Sequence, residues 1–133
     1  MKKLFFLLLI SSYIGCGQLL SPTDELISNN ELIVIQAHKV AEQLLCHEID
    51  ISQISIFIAN ETEIERCGIQ SAGCYQNRTI YISNLITDEQ NKCMVLAHEL
   101  VHAGADINGM NTDHDHVIYN WHMILGHQDC TIL

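Results

Sequence analysis

Two histidines on one side of a helix constrain this chain more than any other feature. His98 and His102 stand four residues apart, so on an α-helix both imidazoles project the same way. The helix itself is signalled. Thr87 and Gln90 have the spacing of a capping box, with Thr87 as N-cap and Gln90 at the third helical position. Asp88 and Glu89 put two acids in the first turn, where the helix dipole favours them. Cys93, Met94, Leu96, Ala97, Leu100 and Val101 supply an apolar body, and Gly104 predicts the stop. A helix this apolar is a buried one, and a buried pair of imidazoles without a partner is costly.

One divalent cation provides that partner. Two imidazoles four residues apart suit one Zn²⁺, and Glu99, one residue on, reaches a water beside the ion rather than the ion itself. Zinc lowers the pKa of such a water to about 7, and a carboxylate then accepts its proton. Glu99 is therefore the expected catalytic base, and His98 and His102 are the expected metal ligands. A catalytic zinc takes three protein ligands and keeps one position open. His114 and His116, in Asp113-His114-Asp115-His116, are the candidates for the third.

His98-Glu99-Leu100-Val101-His102 resembles the His-Glu-x-x-His motif of the zinc metallopeptidases called zincins. The metzincin branch would have a glycine at position 105 and a histidine at position 108. This chain has Ala105 and Asn108, so that branch does not fit. Over residues 87–125 the chain is more similar to SprT-like zincins, in which a third histidine follows after about a dozen residues and opens a helix. The resemblance implies a helix from His114, whose apolar face would carry Ile118, Trp121 and Leu125. From His116 the same positions fall on Asn120, Met123 and His127. His114 is thus the first choice for the third ligand and His116 the alternative. The resemblance also implies that an edge strand near the motif helix binds extended peptide by main-chain pairing; Ile80–Ile82 is the candidate, unless it is an inner strand. Asp106 is a candidate second partner for a ligand imidazole, or a solvated loop acid. His122 or His127 could face a developing oxyanion. Tyr75 and Tyr81 are further candidates for polarising a carbonyl, without a spacing that selects either.

The N-terminus reads as an export signal. Lys2 and Lys3 precede the apolar run Leu4–Ile10, which is too short to span a bilayer as a helix. Gly15-Cys16 then resembles a bacterial lipobox, although Tyr13 stands where leucine is usual. The resemblance implies removal of residues 1–15, a lipid anchor at Cys16 and a place in the cell envelope, attached to a membrane without spanning it. Residues 16–30, with the only proline, read as a tether. Residues 31–133 then form one domain.

Without residues 1–15, four basic residues face sixteen acidic ones. No basic patch exists for phosphates, so nucleic acid is excluded as a partner. Export permits disulfides, and Cys67 with Cys74, flanking Gly68 and Gly73, is the favoured pair. The remaining pattern predicts a helix over 31–48, strands over 51–59 and 78–82, a loop over 60–77 and a last helix from Asp113 or Asp115. The fold class is α+β: a small zincin-like domain, with a short sheet packed on helices that include the motif helix. The implied function is zinc-dependent hydrolysis of peptide or protein substrates. The competing reading is a zinc-binding envelope lipoprotein without catalysis, for which Glu99 would be dispensable.

Overall fold

The computed structural model describes residues 24–60, 71–119 and 121. The export signal, Cys16, Cys67, His122 and His127 lie outside these residues. The described part is α+β, with a four-stranded mixed sheet and two α-helices. The strands are β1 (Glu25–Ile27), β2 (Ser55–Ala59), β3 (Gly73–Gln76) and β4 (Thr79–Ser83), in the spatial order β1-β2-β4-β3. The β2–β4 pair is parallel, and the two outer pairs are antiparallel. Helix α1 (Leu32–Leu45) and helix α2 (Glu89–Ile107) pack together and cover one face.

The register explains the core. Ile56, Ile80 and Ile82 project from β2 and β4 and are fully buried. They meet Val34 and Val40 of α1 and Leu96, Leu100 and Val101 of α2 in one cluster. Buried α1 positions 33, 34, 37, 40, 41 and 45 repeat at helical spacing, as an amphipathic helix requires. Tyr81 lies on the opposite sheet face, with Ala59, Cys74 and Phe57, and its ring stacks on Phe57.

Several local expectations change. Part of the expected tether is structured: β1 pairs with β2, and Ile27 is buried. The expected loop contains β3, which joins β4 through Asn77 and Arg78, both at positive φ (49° and 61°). Two left-handed residues make the tight connection that suits strand twist, but an Asn-Arg pair lacks the usual glycine signal. In 51–59 only the second half is strand; Ile51–Gln53 is a 3₁₀ turn capped by Asp50. β4 is an inner strand, so its main-chain groups are engaged on both sides, and β3 is the edge strand beside it among the described residues. Helix α2 is capped by Asp88 rather than Thr87, its carboxylate accepting from Asn91 N at 2.8 Å. It also runs past Gly104, which is a packing position: a Cβ there would stand 2.6 Å from Ile49 Cδ1. After α2, residues 113–119 form turns instead of a helix.

Candidate metal centre

Helix α2 is surrounded by α1 and the sheet, so the residues on its motif turn are sequestered. Glu99 and His102 are 7% and 5% exposed, and His98 is half-buried. The helical repeat brings His98 Nε2 and His102 Nε2 to 3.2 Å. His116 comes from the following loop, with its Nε2 3.2 Å from that of His102 and 3.0 Å from that of His98. The three nitrogens form one compact group. His114, the first choice for the third position, is not part of it. Its ring stacks on His102 with centroids 5.5 Å apart. The alternative, His116, occupies the position instead.

Loop geometry accounts for the exchange. Asp113 and His116 both have positive φ (54° and 57°). Such conformations are uncommon outside glycine and are held by their surroundings. Here the holding residue is Asp113, which is 2% exposed. Its Oδ1 accepts from Val117 N at 2.8 Å. Its Oδ2 accepts from Ile118 N, Tyr119 N and Trp121 Nε1 at 2.9, 3.0 and 2.6 Å. Burial works against this carboxylate, but the hydrogen bonds outweigh it and hold the group well below the usual carboxylate range. His116 N also donates to Asp113 O at 2.9 Å. One buried carboxylate thus gathers the loop and turns residue 116 inward.

The group suits a cation. The carbonyl of Thr112 lies 2.6 Å from His102 Nδ1 and can only accept, so His102 carries its proton on Nδ1. A lone pair on Nε2 then faces the other two rings. Each Nε2 offers either one proton or one lone pair, so three mutual contacts cannot all be hydrogen bonds. A metal removes that conflict. Tetrahedral zinc with nitrogen at 2.0–2.1 Å needs donors about 3.3 Å apart, close to the 3.0–3.2 Å observed. Without a metal, burial and then the neighbouring imidazoles lower His98 to about 4. Burial lowers His102 as well, against its bond to Thr112. Both rings are therefore neutral at neutral pH, the form that ligates. No family model, curated protein or solved structure matches this chain.

Glu99 follows His98 in the chain, lines the same cleft and packs under β3. Burial pushes its carboxyl up to about 8, opposed by a hydrogen bond from the Tyr75 backbone. Its approach to the strand requires Gly73: a Cβ there would meet Glu99 Cγ and Oε1 at 3.1 Å and Val95 Cγ1 at 2.6 Å. A cleft of about 740 Å³ opens against His98, Glu99 and Trp121, between Met94 and Val95 of α2 and the Leu85–Ile86 segment.

The remaining candidates are placed elsewhere. Asp106 accepts from the Tyr75 hydroxyl at 2.5 Å; Thr112 is the partner of the His102 imidazole. Burial first, and then Asp106, raise Tyr75 to about 12. Tyr81 faces the other side of the sheet. His38 contacts Ile49 O at 2.8 Å and Glu42 at 3.1 Å, a structural role. Asp113 and Trp121 were visible in the sequence only as a helix cap and an apolar helical position. An aspartate three residues before a ligand histidine and a tryptophan five after it are the only signals they leave.

Proposed function

We propose that the chain is a zinc-dependent peptidase. The observation that carries this reading is the convergence of three imidazole nitrogens, with a buried carboxyl one residue from the first of them that lines the same cleft as His98. Among the described residues, His98, His102 and His116 are the group able to hold the metal. A bound zinc would polarise a peptide carbonyl and acidify a water. Glu99 takes a proton from the attacking water and passes it to the leaving amine nitrogen. The first transfer needs the ionised carboxylate, which a nearby bound cation would favour against the burial that raises its pKa.

The cleft and β3 support a peptide substrate. The cleft touches His98 and Glu99 and is bordered mainly by apolar side chains. An extended segment added to the edge of β3 would run alongside Gly73, the residue packed against Glu99. A disulfide at Cys74 supports the export reading, since an oxidising compartment allows one. The expected partner, Cys67, lies outside the described residues. Anchoring would come from Cys16; among the described residues no helix is long and apolar enough to cross a membrane.

Replacing Glu99 with Gln separates catalysis from metal storage. The variant is expected to bind zinc at one equivalent and to lose at least about 100-fold in peptide cleavage, the usual scale of a general base. Cleavage at the wild-type rate would refute the role of Glu99. Stoichiometric zinc with no cleavage by the wild type would favour the storage reading.

A further inference from the structure

Trp121 stands out because it touches all three imidazoles. Its ring centroid is 4.4 Å from that of His98, 4.7 Å from that of His102 and 4.7 Å from that of His116. The imidazole centroids are themselves 4.8–5.2 Å apart. Four rings at nearly equal separations occupy the corners of a tetrahedron. The indole is therefore on the axis of the three-histidine group, against one of its two faces. Those distances put its centre roughly 3.5 Å from the plane of the imidazole centroids, about one aromatic contact. A zinc held by the three nitrogens with a further ligand at about 2 Å needs that same depth on whichever face it uses. No such ligand fits on the indole side.

The indole is also fixed. Its Nε1 donates to Asp113 Oδ2 at 2.6 Å, and Asp113 is the residue that orders the His116 loop. One carboxylate therefore sets both the third ligand and the closed face.

We infer that Trp121 is a positioning residue that closes one face of the metal centre and confines exchangeable ligands to the other. This rests on the metal-centre reading given above. The role is separate from holding the metal, because indole offers no lone pair to it. By shutting one face, the ring keeps the coordination number at four, the geometry of a site with three protein ligands and one open position.

Trp121 is the only tryptophan of the chain, so its emission reports on this face directly. The full chain, stripped by a chelator, is titrated with Zn²⁺ and with Co²⁺, and elemental analysis gives the bound equivalents. Wild type is expected to bind one equivalent. Co²⁺ should quench the emission without shifting its maximum and should show the intense visible bands of a four-coordinate ion. Trp121→Ala should bind about 10-fold more weakly, as loss of a supporting residue around a metal does, with the weak bands of a higher coordination number. Trp121→Phe, which keeps an aromatic face, should retain the wild-type bands. Three results would overturn the inference. One is wild-type bands and affinity in Trp121→Ala. Another is a red shift of wild-type emission on adding Zn²⁺, which would mean that the indole leaves the face to admit the metal. The third, no bound metal in the wild type, would remove the metal centre itself and is told apart by the elemental analysis.

Discussion

Burial sets the protonation of the residues around the three nitrogens, and the signs of the shifts oppose one another. In the metal-free protein Glu99 is pushed from 4.5 to about 8. Between those values the folded chain holds a proton that the unfolded chain has released, so this group makes stability fall as pH rises. His98 acts in the other direction. It is lowered from 6.5 to about 4, so the unfolded chain binds the proton first, and stability rises with pH up to 6.5. His102 shifts in the same direction as His98. Below 6.5 the histidine slopes oppose that of Glu99; well above it Glu99 acts alone. Metal-free protein is expected to lose about 1 kcal/mol between pH 6.5 and pH 8. Urea denaturation in chelator at both values measures this, and Glu99→Gln should abolish the loss. A wild-type stability that climbs over the interval contradicts the burial argument. At this scale, His98, Glu99 and His102 were legible because a helix fixes their relative directions. His116 was not, since two left-handed residues at 113 and 116 break any periodic rule for which histidine points inward.

The elements divide in the same way. Helices α1 and α2 and the inner strands β2 and β4 were readable from apolar spacing, because burial against a common core imposes a period. The two edge strands were not. β1 has three residues with one buried, and β3 begins at a glycine demanded by Glu99 and Val95. The segment after α2 is held differently again, by one side chain rather than by a backbone ladder. Asp113 accepts three backbone N–H groups and the indole N–H, so truncating it removes the support of the His116 loop and of Trp121 together. Asp113→Ala is expected to weaken zinc binding about 10- to 100-fold, read by competition with a coloured chelator. Asp88→Ala serves as the contrast. It removes the cap of α2 and should cost about 1 kcal/mol of stability with zinc affinity kept within a few-fold. Equal zinc affinities in the two variants would show that the loop is not organised through Asp113.

Across the whole molecule, the metal would join two parts of unequal stability. The sheet, α1 and α2 share a core whose largest side chains are inaccessible. The segment from 114 to 118 is exposed, and its ties to the rest run through Asp113, Thr112 and the three imidazoles. A zinc bridging His98 and His102 of α2 to His116 therefore fastens the weaker part to the stronger. Binding present at about a thousand times Kd adds about 4 kcal/mol to the state that binds. Two outcomes of chelation follow from how that energy is shared. If the loop opens by itself, a protease in chelator should cut between Met110 and Trp121 while the far-ultraviolet helical signal persists. Added zinc should then protect those bonds in proportion to occupancy. If the metal instead supports the whole fold, as in small domains that are unfolded without it, the helical signal and the protection should vanish together. The packing favours the first outcome: the core cluster closes around α1, α2 and the sheet with Met110, Tyr119 and Trp121 only at its margin. Loss of helical signal on chelation would mean that the ordered loop, rather than the packed helices, is what α2 depends on.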